Sequence, residues 1–332
     1  MSDSPVFPDL PSPLRRRLLR AALLAPAVGA LAALPGCSIP TQVDGTFLQP
    51  WRSHLDWTMA DWQRSVQLAQ RLGCKQLVLQ WAGIHGAPEG DWQLPDASLR
   101  MVFTAAGEAG MTVRMGLPFE QSWWKAIGGD DATLQAFFAD SLGRAQQWLA
   151  QAPWARLQAF GGWYVPYEIE QYHWADAARV QGLAQWLHGL QQAAHAQGGD
   201  CAISTYFSRL ETTGRLETVW ATVLDRVPLR PMVQDGVGVA GAGNVQQLKP
   251  LLAMLTQRGV AFDAIVELFR ELPGENSDGT QFKGETADAT RIERQLAWAA
   301  DSGAEHVLVY ALDPWLSQET PQAKALRRHW GL

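Results

Sequence analysis

The chain has 332 residues, 47% hydrophobic and 18% charged, a composition that fills a core and excludes an intrinsically disordered chain. Its formal net charge is −6, and removing residues 1–36, with four arginines and two aspartates, leaves −8. So acidic a body lacks the basic footprint of a nucleic-acid binder, and nothing after residue 36 is apolar for long enough to span a bilayer.

In chain order, the first feature is Arg15-Arg16-Arg17-Leu18-Leu19-Arg20, followed by an apolar run from Ala21 to Leu34 and then Pro35-Gly36-Cys37. A basic region, an apolar stretch too short to anchor as a helix and small residues read as an export signal. The arginine run resembles a twin-arginine signal, and Leu-x-Gly-Cys resembles a lipobox that lipidates the cysteine. The expectation is a signal peptide over 1–37, a tether over 38–44 and a catalytic or binding domain over 45–332. The mature chain would be a periplasmic lipoprotein on the outer membrane, held through lipid at Cys37. Ordinary secretion with cleavage elsewhere is the alternative. The other two cysteines, Cys74 and Cys201, match no zinc spacing and read as buried free thiols.

From Asp44 onward, short apolar or β-branched runs alternate with longer stretches of helical period. Strands are predicted at 45–49, 76–81, 112–117, 157–165, 202–207, 230–234, 264–269 and 306–312. Helices are predicted near 59–72, 96–109, 131–151, 175–196, 213–225, 244–258, 286–302 and 319–330. Eight such units over roughly 290 residues predict an α/β fold, a single (β/α)8 TIM barrel. Helices run into strands through short glycine turns at Gly73, Gly110, Gly198-Gly199, Gly259 and Gly303. Strands run into helices through longer, polar loops, the asymmetry of a barrel with its site at the C-terminal face. An open doubly wound sheet is disfavoured, because no Gly-x-Gly-x-x-Gly turn follows the first strand.

Polar and aromatic residues gather at these strand ends. Glu267 lies inside the apolar run Ile265-Val266-Glu267-Leu268-Phe269, where a carboxylate is costly unless partnered. The bland reading pairs it with an arginine such as Arg114. Glu168 follows Pro166 at the mouth of strand four. Carboxylates from strands four and seven converging on one sugar bond are what glycoside hydrolysis needs, one to donate a proton and one to attack or activate water. Glu168 is the expected general acid/base and Glu267 the nucleophile or base. Gln49, Gln80, Glu120, Tyr167, Glu170, Tyr206, Gln234 and Asp313 are candidate substrate-binding residues, and Trp51, Trp81, Trp123, Trp124 and Trp315 are candidate stacking faces. About half of the sixteen tryptophans are expected in the core. His54, His85 and His173 fall on loops at no metal-ligand spacing. They read as solvated, and no metal or cofactor is called for.

Five blocks carry a family resemblance: Gly45-Thr46-Phe47-Leu48-Gln49-Pro50-Trp51, Val78-Leu79-Gln80-Trp81, Gly162 to Ile169, Gln234-Asp235-Gly236-Val237-Gly238 and Glu267-Leu268-Phe269. They resemble a bacterial domain-of-unknown-function family of glycoside-hydrolase-type barrels, often found on exported proteins. The resemblance runs from Gly45 to Trp315 and implies a glycan substrate. The strand-four and strand-seven placement is also similar to the large retaining glycosidase clan. In that clan an Asn precedes the strand-four acid; here Tyr167 does, which leaves Asp235 open as a catalytic carboxylate. A non-catalytic glycan-binding lipoprotein of an exopolysaccharide assembly or export system is the second reading.

Overall fold

A computed structural model describes residues 43–272 and 283–332. Residues 1–42, which include the expected export signal, Cys37 and most of the expected tether, lie outside the described residues, as do residues 273–282 of the polar loop 271–285, whose sequence suits a lid or an insertion. Eight parallel strands close into a barrel. They are β1 (Gly45–Leu48), β2 (Gln76–Leu79), β3 (Thr112–Gly116), β4 (Phe160–Ile169), β5 (Cys201–Thr205), β6 (Arg230–Gln234), β7 (Asp263–Glu267) and β8 (His306–Ala311). Each pairs with its sequence neighbours, and β1 pairs with both β2 and β8. The helices that cover it are α1 (Met59–Leu72), α2 (Asp96–Glu108), α3 (Asp131–Gln151), α4 (Ala177–His195), α5 (Leu216–Leu224), α6 (Lys249–Gln257), α7 (Ala289–Asp301) and α8 (Pro321–His329).

The local chemistry explains the element ends. Thr58 and Asp61 form a reciprocal capping box at the start of α1, and Asp130, Asp176, Asp288 and Thr320 cap four further helices through their side chains. The six floor glycines predicted from sequence all have positive φ, between 64° and 101°, the left-handed conformation that ends a helix. The first strand starts at Gly45 as predicted, and the two residues before it are already tied to the barrel. Val43 is buried, and Asp44 exchanges hydrogen bonds with Val307 through its backbone N–H (2.7 Å) and its Oδ2 (2.9 Å).

Strand four differs most from its predicted span. Trp154–Arg156 form a 3-10 turn, and the strand runs from Phe160 through Pro166 to Ile169. Its register against β5 shifts between Val165 and Glu168. Pro166 has no N–H for the ladder, so the irregularity falls where a bond was already missing. Glu168 therefore belongs to the strand, opposite Ser204.

Eleven of the sixteen tryptophans are buried, more than the half expected. Several form a layer between β4 and its helices. The ring of Trp123 lies 4.9 Å from Tyr167, 5.5 Å from Phe137 and 5.7 Å from Trp186. Rings of this size dominate core energetics, because each removes a large apolar area from water.

Candidate functional site at the C-terminal mouth

Inside the barrel, inward-facing rings close off the space below the mouth. Phe47 of β1 meets Tyr164 of β4 at 5.4 Å and Tyr310 of β8 at 5.5 Å. Tyr164 Oη and Ser204 Oγ share a hydrogen bond of 2.7 Å, and Tyr310 Oη donates to Gln80 Oε1 at 3.2 Å. The carboxylates stand at this level or just above it, because Glu267 is in register with Tyr310 and Glu168 with Ser204.

Glu267 ends β7 and is 4% exposed. Its Oε2 accepts the Gly238 N–H at 2.6 Å. Gly238 must be glycine for this approach, since a Cβ there would lie 2.7 Å from Oε2 and 2.6 Å from Phe269 O. Asp235, wholly buried, follows β6. Both its oxygens are occupied by N–H donors: Val237 N to Oδ1 at 3.0 Å and Gln295 Nε2 to Oδ2 at 2.6 Å. Burial and then the charge of Asp235 push Glu267 well above the usual carboxylate range, against the pull of the Gly238 N–H. Burial also raises Asp235, to about 6, although its donors oppose the rise. Of the two interacting carboxyls, Glu267 is the one pushed further towards keeping a proton. Asp235 has donors on both oxygens to stabilise its anion.

Glu168 keeps partial solvent access. Protein surrounds it on its other sides, and this burial raises its pKa; Gln234 Nε2, donating to Oε1 at 2.6 Å, works against the rise. Its charge bears on Tyr164, Tyr206, Tyr310 and Glu267. None of Glu168, Asp235 and Glu267 forms an ion pair among the described residues. Arg114 bonds instead to Asp200 at the other end of the barrel, Nη2 to Oδ2 3.1 Å, so it is not the partner of Glu267. Arg291 comes nearest as a compensating cation, but its guanidinium donates to the backbone oxygens of Glu267 and Phe269.

The remaining predicted residues divide into two groups. Gln80, Gln234 and Tyr206 gather around the carboxylates; Gln49, Trp51 and Trp124 lie on the same face, with Trp51 and Trp124 well exposed. Others are committed to the fold. Trp123 is 0% exposed and Tyr167 3%, so neither can offer a face to a ligand; the strand alternation that sends Glu168 inward sends Tyr167 out into the helix layer. Trp81 and Trp315 are likewise buried. Trp81 spends its indole N–H on Pro50 O (2.8 Å). Glu120 is buried in a two-point ion pair with Arg144, Nε to Oε1 2.6 Å. Glu170 accepts from the backbone N–H groups of Tyr172 and His173 and pairs with the His173 ring (2.7 Å). Asp313 accepts from Ser317 and lies 3.5 Å from His54 Nε2. His54 is thus buried, contrary to the solvated loop histidine expected; its Nδ1 accepts the Trp51 N–H at 3.0 Å. Cys74 and Cys201 are buried free thiols, both pushed up to about 12 by burial. Among the described residues no group of three or more His, Cys, Asp or Glu side chains is placed to hold a metal.

Sequence reasoning missed Gln295, Arg291, Gly238 and Tyr310 as members of the site. A signal for Gln295 existed. It falls at helical spacing within the buried stripe Ile292, Leu296, Ala299 of α7, where a polar side chain has to find a polar partner.

A closed barrel of eight parallel strands surrounded by helices is a TIM barrel, and at the C-terminal ends of its strands stand carboxylates with no ion pair among the described residues. The chain belongs to the family defined by the domain of unknown function DUF4434, whose model matches residues 43–325. It is 28% identical over 207 residues to the uncharacterized protein YbcH of Escherichia coli K12, a match covering 59% of this chain and 65% of that relative. A candidate alpha-L-fucosidase from Bacteroides thetaiotaomicron VPI-5482 superposes with a TM-score of 0.65 at 15% identity, covering 92% of this chain and 99% of that one. A GH99 endo-alpha-mannosidase from Bacteroides thetaiotaomicron superposes with a TM-score of 0.52 at 10% identity, covering 87% and 95%. At such identities the likeness is one of fold.

Proposed function

We propose that this chain hydrolyses glycosidic bonds at the mouth of the barrel, with Glu267 as general acid and Glu168 as the base or nucleophile. The observation that carries this reading is the trio Glu168, Asp235 and Glu267: three desolvated carboxylates on one face with no ion-pair partner among the described residues. Such an arrangement works against the fold, and its chemical use is to keep one carboxyl protonated near neutral pH while another can ionise. The assignment exchanges the roles expected from the sequence. Glu267 is the more strongly raised and has a charged neighbour, Asp235, to keep its proton on. Glu168 has solvent access and the Gln234 N–H to stabilise its anion. The fucosidase-like and mannosidase neighbours share the fold on which this chemistry is placed.

Aryl glycosides separate the two roles. A good leaving group needs no proton, so Glu267→Gln should retain most activity on dinitrophenyl glycosides and lose it on natural linkages. Glu168→Gln should lose both. Equal behaviour of the two variants on both substrate types would sink the assignment. We further propose that the leader carries this activity to the outer membrane through lipid at Cys37; Cys37→Ala should then release the protein from the membrane fraction.

A further inference from the structure

Among the described residues, the large hydrophobic side chains that stand well exposed are Trp51, Trp124, Tyr172, Leu210 and Val239. They follow β1, β3, β4, β5 and β6, so every one lies on the mouth side. Exposed apolar residues scattered singly are ordinary, but a set confined to one face marks a binding surface.

Trp51 is the best formed of these. It walls a groove of about 380 Å3 together with Arg52, Ser53, Glu89, Trp92 and Gln121. Its indole, 45% exposed, packs edge-on against Trp81 at 5.6 Å and 78°. Its backbone N–H is held by His54, which is itself anchored beside Asp313 at the end of β8. The ring is thus positioned before any ligand arrives, which lowers the cost of ordering on binding. From Trp81 the rings continue to Phe119 (5.3 Å) and on to Tyr167 (5.4 Å), the neighbour of Glu168 in the chain. These linking rings are buried, so they brace Trp51 against the strand that carries Glu168 without offering a ligand a face of their own.

We propose that the Trp51 groove is a second sugar subsite, apart from the carboxylates, and that the substrate is a glycan chain of several residues rather than a small glycoside. This rests on the hydrolase reading of Glu168 and Glu267. A pyranose ring offers an apolar C–H face and a rim of hydroxyls that both donate and accept. The groove answers with an indole face and with a hydroxyl, an amide, a carboxylate and a guanidinium around it. Its volume lies at the small end of ligand pockets, sized for one ring of a longer ligand.

The test compares dimers and hexamers of chito-, manno- and xylo-oligosaccharides with wild-type mature chain and the Trp51→Ala variant, by hydrolysis and by calorimetric binding to a Glu267→Gln background. Trp51→Ala should cost about tenfold more in kcat/KM and in affinity for the hexamer than for the dimer, and Trp51→Phe should recover part of it. Equal losses at both lengths, no loss on the hexamer, or no binding of any of these glycans would overturn the subsite. A change of oligomeric state in Trp51→Ala would do so too, by making the patch a contact between copies. If the wild type binds hexamer in a Trp51-dependent way but cleaves nothing, the subsite stands and the hydrolase reading falls. If cleavage is robust and indifferent to Trp51, the reverse holds.

Discussion

The two ends of β7 carry acidic side chains in opposite electrical settings. Asp263, at the start, is 1% exposed, yet its carboxyl lies below the usual range: burial would raise it, but Arg230 and His306 outweigh that. Arg230 Nε donates to its Oδ2 at 2.7 Å, and His306 Nδ1 lies 3.0 Å from Oδ1. Glu267, at the other end, is buried nearly as deeply and has one backbone N–H and a second carboxylate for company. Two groups of similar chemistry and similar burial on one five-residue strand thus differ in sign of shift because Asp263 is ion-paired, while the charge of Arg291 is too small an influence on Glu267 to offset burial and Asp235. At the floor the barrel neutralises its buried charge, as stability requires. At the mouth the carboxylates have no ion pair among the described residues, the pattern that the proposed chemistry would use.

The sharpest way to break this comparison is to neutralise each end in turn. Glu267→Gln should lower kcat on natural glycan linkages by about 10²–10⁴-fold. It should also leave the melting temperature unchanged or raise it, because a neutral amide replaces a carboxyl whose charged form burial and Asp235 both disfavour. A lowered melting temperature would make Glu267 a structural group and end the contrast. Asp263→Ala should do the opposite. It strands Arg230 without its main partner and should cost about 3–5 kcal/mol in denaturant unfolding, with kcat per folded molecule unchanged.

How much of this was legible in the sequence follows the same division. The floor and the walls were readable, because they are written in periodicity, caps and glycine turns, which are local. The positions of Glu168, Asp235 and Glu267 were readable for a related reason: a strand-helix count places any residue at a strand end. What each side chain faces was not readable. Trp123 and Tyr167 looked like a ligand wall and are core: the short helix Trp123–Ile127 after β3 sets the direction of the first and the bulge in β4 bears on the second, and both depend on tertiary packing. Glu120 looked like a hydroxyl binder, but its partner Arg144 is 24 residues away, on α3. Trp123→Ala should accordingly behave as a core deletion, costing about 3–5 kcal/mol, and spare the ratio of hexamer to dimer turnover.

The contrast also has a pH signature of opposite sign at the two ends. Asp235 moves from 3.8 up to about 6 on folding, so the folded chain holds a proton there that the unfolded chain has released. Its contribution to stability is full below about 4 and is lost as pH rises through about 6. Asp263 moves down from 3.8, so its contribution is present above that value and is lost as pH falls through its folded pKa. Asp235→Asn should lessen the decline in melting temperature between about pH 4 and pH 6, part of which Glu168 and Glu267 also carry, and Asp263→Asn should flatten the loss at more acid pH. The measurement is best kept below pH 6, because His306 is raised from 6.5, chiefly by its hydrogen bond to Asp263, and its own contribution fades at higher pH. Identical pH curves for the two variants would mean that the two ends of the barrel are electrically alike.

The smallest expected effect tests how closely the proton on Glu267 is held. Gly238 brings its N–H to Glu267 Oε2, and a Cβ at this position would collide with that oxygen and with Phe269 O. Neither atom can retreat easily: the Phe269 carbonyl is tied to Arg291, and Glu267 is enclosed by β6, α7 and Tyr310. Gly238→Ala should therefore destabilise the chain by about 1–3 kcal/mol, as overpacking does. The carboxyl, pushed off the one donor that favours its anion, should become harder to ionise. The alkaline limb of the pH–rate profile, set by loss of the Glu267 proton, should then move to higher pH while the acid limb, set by Glu168, stays in place. A shift of the acid limb instead would show that the proton donor is Glu168, and would restore the roles first expected from the sequence.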